Sequence, residues 1–132
     1  MKSLPYVHKA IKVSEEMCDH NGHMNVNYYY RLFDIAILII SLCSRDENID
    51  FLRASLILKG YNSINKLIKA EKQALQPLIV YAAAGVAFWR HKNFNYIAPD
   101  NNLKDSYLKM KNLADKVRDM PNSHFELLNE IK

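Results

Sequence analysis

The feature that most constrains the fold is a long apolar segment between Asn27 and Leu42. Apolar residues recur there at helical spacing, and further apolar residues fill the neighbouring faces: Tyr29, Phe33, Ala36, Ile37 and Ile40 on one side, with Leu32, Ile35, Ile39 and Leu42 around them. A helix that is apolar nearly all round belongs in a protein core. We therefore predict a central helix in which Phe33, Ala36, Ile37 and Ile40 are buried.

Size and composition are typical of one globular domain spanning residues 1–132. The chain is 49% hydrophobic and 24% charged, which excludes the low hydrophobicity and high charge of disordered chains. The longest apolar run, residues 35–42, is far shorter than the ~20 residues that a membrane helix needs. The short run therefore predicts no membrane partner. Cys18 and Cys43 are the only cysteines, and they form no CxxC motif, so a reducing, cytoplasmic location is expected.

The net charge of +4 comes mostly from lysines spread through the second half of the chain. No block of like charges and no alternating basic and aromatic pattern is present, so no nucleic-acid partner is expected. A positive surface can still attract a small anionic ligand such as coenzyme A.

The remaining segments give weaker indications of structure. Residues 8–15 and 51–58 have the character of strands, and residues 61–75 that of a helix that stops at Pro77. Residues 78–89 suit one or two buried strands with a bulge at Gly85, although their alanines would also fit a helix. Near the end, apolar residues at helical spacing predict an amphipathic helix that stops before a proline: Leu103, Tyr107, Met110, Ala114 and Val117, then Pro121.

The polar segment before the central helix is the best candidate for chemistry. Asp19 and Gly22 lie just ahead of the predicted helix start. A helix N-terminus carries unpaired N–H groups that can polarise a carbonyl oxygen, and a nearby carboxylate could act as a base. The same residues would equally serve as an ordinary turn and N-cap. His20 and His23 form no HExxH pattern, so no metal is expected.

The full motif resembles a known family. Asp19-x-x-Gly22-His23-Met24-Asn25-x-x-Tyr28-Tyr29, with Leu32-Phe33-Asp34-x-Ala36 after it, resembles the segment that opens the central helix of hotdog-fold acyl-CoA thioesterases. The resemblance is greatest to the subgroup that includes thioesterase domains fused to carnitine dehydrogenases. It implies an α+β hotdog fold, in which an antiparallel sheet wraps around the apolar helix and a helix follows at the C-terminus.

The resemblance also implies an activity and a set of residue roles. The chain would be a homodimer that hydrolyses an acyl-CoA thioester to a free acid and CoA, without a cofactor. Asp19 would be the general base or nucleophile, the amides of Asn25 and Val26 would bind the thioester oxygen, and His23 and Asn25 would order the loop. The residues assigned to substrate binding would be Gly22, Met24, Tyr28 and Tyr29.

The middle of the chain departs from the family pattern. Residues 52–84 show little of the alternation expected of a long antiparallel sheet, and part of this segment has the apolar spacing of a helix. Two alternatives therefore stand beside the enzyme. One is a non-catalytic or degenerate hotdog protein that binds acyl-CoA or another partner, and the other is a small helical interaction module, which is favoured if the middle is helical.

Overall fold

The computed structural model describes residues 26–126 of the chain, together with Glu15 and Cys18. Over residues 26–126 the chain is mainly helical. Its elements are α1 (Val26–Leu42), β1 (Ser44–Arg45), β2 (Asn48–Ile49), α2 (Phe51–Ile64), α3 (Lys69–Lys92), a π-helix (Asn93–Ile97), α4 (Tyr107–Asp119) and α5 (Ser123–Glu126).

Helix α3 is the centre of the bundle, with α4 and α1 packed against it and α5 adding a smaller contact. These helices bury their apolar faces in one core: Leu32, Ile35, Ala36 and Ile39 from α1, Leu75, Leu78, Ile79 and Ala83 from α3, Leu113 and Val117 from α4, and Phe125 from α5. Helix α2 packs on α1 and buries only Ala54 and Leu58. None of the helices described between residues 26 and 126 combines enough length and apolar character to cross a membrane.

The central apolar helix is present, but its buried face is narrower than predicted. Ala36 and Ile40 are buried, as expected, whereas Phe33 and Ile37 are only partly buried. The prediction for these two residues was wrong because α1 packs through a face centred on Ile35 and Ile39, which turns the opposite face towards solvent. Leu38 on that face is 42% exposed.

The predicted hotdog fold is contradicted by the middle of the chain. In residues 26–126 the strands are β1 and β2 alone, which pair antiparallel in a two-stranded hairpin, so no sheet wraps around α1. Residues 51–58 and 78–89, both given strand character, lie in α2 and α3. The physical reason is that these segments lack period-two alternation, and their leucines and alanines favour a helix when one face can be buried. The fold class of the described residues is therefore helical and not α+β.

Two local signals in α3 were also misleading. Pro77 lies inside α3 rather than at its end, and Gly85 is a helical residue rather than a strand bulge. Proline removes one helical hydrogen bond, and the helix continues because Leu78 and Ile79 directly after it are buried in the core. The helix predicted near the C-terminus is present as α4 and ends before Pro121, but it begins at Tyr107, and Leu103 lies in the preceding turn.

The hairpin after α1 holds the start of α2 and α4 in place. Asp46 and Glu47 both adopt positive φ angles, of 49° and 61°, as the two central residues of a type I′ hairpin turn do. The Asn112 side chain on α4 donates a hydrogen bond to Glu47 Oε1 at 3.1 Å. The Asp50 carboxylate then caps α2 by accepting a hydrogen bond from the Arg53 amide at 3.1 Å.

Candidate interaction surface

Most of the predicted catalytic segment lies outside the described residues. This holds for Asp19, Gly22, His23, Met24 and Asn25. Val26 is the first residue of α1, and Tyr28 and Tyr29 follow in its first turn, but the side chains of these three also lie outside what is described. The roles assigned to all eight residues therefore stay predictions.

In the described part of the chain, no group of His, Cys, Asp and Glu side chains is arranged to hold a metal ion. A cleft of about 500 Å³ opens between the hairpin and α4 and is lined by Ser44, Asp46, Glu47, Lys109, Met110 and Leu113. Its best-placed carboxylate, Glu47, is engaged by Asn112 and by Lys116 Nζ at 3.8 Å. The Glu47 carboxylate therefore serves to hold the hairpin against α4.

The more distinctive surface lies where α3 runs into the π-helix. We call it the aromatic end, and it comprises Phe88, Trp89, Phe94, Tyr96 and Ile97. Trp89 is 58% exposed, Tyr96 72% and Ile97 66%. The Trp89 and Phe94 rings meet edge to face with centroids 5.7 Å apart. Exposed apolar side chains gathered in one region are typical of binding surfaces.

The backbone under the aromatic end is held by a dense set of hydrogen bonds. The Asn95 side chain donates to the carbonyl oxygens of His91 at 3.0 Å and Lys104 at 2.9 Å, which joins the π-helix to the turn that follows. The amide of Asp100 donates to the Phe94 carbonyl at 3.0 Å. Because the turn is bonded back onto the helix, the exposed rings project from a fixed backbone.

A small group of rings and polar atoms lies behind this surface. The His91 ring meets Tyr107 with centroids 4.7 Å apart and Tyr96 at 5.6 Å. The atoms His91 Nδ1 and Ser106 Oγ are buried and find no hydrogen-bond partner among the described residues. Buried polar atoms are seldom left unpaired, and π-helical turns are frequent at functional sites.

Basic side chains accompany the exposed rings. Arg90 Nη1 donates to the Ser106 carbonyl at 3.3 Å and so is fixed in position, while Lys92 and Lys104 are exposed. Asp100 and Asp105 lie in the adjoining turn. Lysine and aspartate side chains therefore flank the exposed rings, and protein interfaces combine an apolar core with a polar rim.

Comparison with protein-family models, with curated proteins and with solved structures finds no match. The thioesterase resemblance therefore stays one of sequence pattern, carried above all by the motif between Asp19 and Ala36.

Residues 78–89 were interpreted as one or two buried strands, with a helix as the alternative, so the aromatic end was not predicted. A signal for it was present, because Tyr81, Gly85, Phe88 and Lys92 are spaced to lie on one face of a helix. Tyr81 and Phe88 are 58% and 50% exposed on that face.

Proposed function

We propose that the chain is a helical interaction module that binds another macromolecule through the aromatic end. The observation that carries this proposal is the exposure of Trp89, Tyr96 and Ile97 on a backbone fixed by hydrogen bonds. Burying one such aromatic side chain against a partner is worth about 2 to 3 kcal/mol. In free solution this apolar area faces water.

The residue types and their fixed setting both support binding. Tryptophan, tyrosine and arginine dominate the energetics of protein interfaces, typically from a few central positions. Association also costs free energy for every side chain and loop that must be ordered. Here Asn95 and Asp100 already hold the turn in place, so a partner would have less to order.

Site-specific photo-crosslinking tests the proposal. A photoreactive phenylalanine analogue placed at Tyr96 should give a discrete adduct with one partner in an extract of the source cells. The same analogue at Lys109, an exposed position on α4, is the matched control. An adduct from position 96 that disappears when Trp89 is changed to alanine supports the proposal. Equal adducts from both positions, or none from position 96, would contradict it.

A second candidate is acyl-CoA thioester hydrolysis by Asp19. The observation that favours it is the start of α1 at Val26, inside the motif and seven residues after Asp19, since the opening amides of that helix lack helical partners. A thioester carbonyl could accept hydrogen bonds there while Asp19 acts as base or nucleophile, in a reducing cytoplasm where CoA esters occur. This candidate uses the motif but not the hotdog sheet.

An assay over a panel of acyl-CoAs, with detection of the released thiol, tests this second candidate. Asp19→Asn should lower hydrolysis by about 100-fold to 10,000-fold, because an amide cannot take the proton. Asparagine caps a helix about as well as aspartate, so the melting temperature should not change. If the parent hydrolyses none of the acyl-CoAs, the hydrolase candidate is wrong. If the parent binds CoA without hydrolysing any thioester, a role in acyl-CoA binding stays in place of the hydrolase.

A further inference from the structure

Helix α2 presents an apolar ridge that the bundle does not cover. Leu52, Leu56 and Ile64 are 73%, 62% and 83% exposed. With Gly60 they are spaced four residues apart, which places them along one ridge of the helix. The ridge is about 18 Å long at the rise of an α-helix. The opposite side of α2 holds Ala54 and Leu58 against the core, so the ridge points outwards.

The charged side chains within α2, and the next two along the chain, are all positive. Helix α2 contains Arg53 and Lys59 and no acidic residue, and helical geometry places them on opposite sides of the ridge. Lys66 and Lys69 follow, both exposed. The acid nearest to the ridge in sequence is the N-cap Asp50, whose carboxylate oxygen lies 3.5 Å from Arg53 Nε. Within residues 26–126, Lys59, Lys66 and Lys69 have no carboxylate partner.

We propose that α2 docks on the surface of an anionic lipid bilayer. The ridge would enter the boundary between headgroups and acyl chains, and the lysines would lie among the headgroups, as in interfacial amphipathic helices. The inference goes beyond the proposed function, because it concerns another surface and does not depend on the aromatic end. It needs no membrane-spanning segment, so the short apolar runs of the sequence do not oppose it.

Shape and charge favour a bilayer over a second copy of the chain. The ridge is convex and its apolar side chains are exposed. A lipid bilayer can deform around such a ridge, whereas a protein partner would need a groove of matching shape. Two copies paired through their ridges would bring a Lys59 side chain from each molecule into one interface, and like charges in contact oppose association. An anionic surface meets these side chains with the opposite charge.

Sedimentation with vesicles tests the proposal on the full chain. The parent should bind vesicles of phosphatidylcholine with phosphatidylserine, should bind pure phosphatidylcholine vesicles much less, and should be released at high salt. Replacing all three ridge residues with serine (Leu52→Ser, Leu56→Ser and Ile64→Ser) should weaken binding at least about tenfold. Lys59→Gln should weaken it about fivefold, while Lys109→Gln on α4, the matched control, should not change it.

The outcomes separate the possible occupants. Circular dichroism should give the serine variant the helix content of the parent, since its three positions are exposed. No binding of the parent to anionic vesicles, or binding that the serine variant retains, would overturn the proposal. A parent that forms dimers which the serine variant abolishes, without binding vesicles, would make a second copy the occupant. Equal binding to both vesicle types would also overturn the proposal, because the lysines would then contribute nothing to binding.

Discussion

Arg31 on α1 donates hydrogen bonds from Nε and Nη2 to Oε1 of Glu71, whose side chain is completely buried on α3. The other carboxylate oxygen, Oε2, accepts the Ile68 amide at 2.8 Å, as the glutamate of a capping box does. One carboxylate thus joins α1 to α3 and satisfies a free amide at the start of α3.

Glu71→Ala should destabilise the protein by about 3 to 5 kcal/mol, because it removes the buried carboxylate that both the Arg31 side chain and the Ile68 amide bind. The free energy of unfolding in urea measures this effect. Glu71→Gln should cost less, since its amide oxygen still accepts a hydrogen bond. Asp115→Ala is the control, because its pairs with Lys111 and Arg118 lie at the surface and should contribute about 1 kcal/mol or less. A loss for Glu71→Ala no larger than that of the control would contradict the buried pair.

Gln76 should stabilise the packing of α3 on α4. Its side-chain nitrogen donates to the carbonyl oxygens of Val117 and Met120, both at 2.9 Å, where the end of α4 leaves carbonyls unpaired. Gln76→Ala should therefore cost about 1 to 3 kcal/mol in urea unfolding. Gln73→Ala, on the exposed side of the same helix, should change stability by about 0.5 kcal/mol or less. Equal effects of the two substitutions would refute the contact.

Gly85→Ala should make the protein more stable by about 1 kcal/mol, because glycine is a poor residue inside a helix. Space permits the change, since an added Cβ meets nothing within 4 Å. A glycine at a bulge in a sheet would respond in the opposite direction. Denaturant unfolding of this variant thus separates helix from strand at residue 85, and a clear loss of stability would argue against α3 as described.

The Cys43 thiol should make stability depend on pH above neutrality. Burial, and then the negative charge of Asp50, raise the pKa of this thiol above its ordinary value. In the unfolded chain this thiol ionises at about pH 8.5, while in the folded chain it keeps its proton to higher pH. The associated stability is complete below about pH 8.5 and is lost as the pH rises towards the folded pKa.

The free energy of unfolding of the parent should therefore fall as the pH rises above about 8.5. The free energy of unfolding of Cys43→Ala should fall less steeply with rising pH than that of the parent, whatever the stability of the variant at neutral pH. Urea unfolding at several pH values measures both profiles, and parallel slopes would show that Cys43 keeps no excess protons in the folded state.

The sequence predicts helices α1 and α4 but not the way the helices pack. The apolar pattern around Ile35 and Ile39 predicts a buried helix in α1, and the spacing of Ala114 and Val117 predicts α4. Hydrophobic periodicity is strong in both segments, and it does not depend on the partner that each helix meets.

The middle could not be assigned with the same success. Residues 78–89 are apolar in a way that a buried strand and a buried helix share, and Pro77 suggested a boundary where packing of Leu78 and Ile79 overrides it. The aromatic end escaped prediction because exposure of Trp89 and Tyr96 follows from how α4 and the π-helix meet α3. Local sequence carries little information about such tertiary contacts.

The proposed function depends most on Trp89 being exposed and firmly held in the free protein. Trp89 is the only tryptophan of the chain, so its fluorescence reports on the aromatic end without labelling. The decisive measurement combines acrylamide quenching with fluorescence anisotropy. We expect emission close to that of tryptophan in water, efficient quenching, and an anisotropy set by tumbling of the whole molecule. Blue-shifted emission that acrylamide does not reach, or rapid local motion of the indole, would contradict an exposed surface prepared for binding.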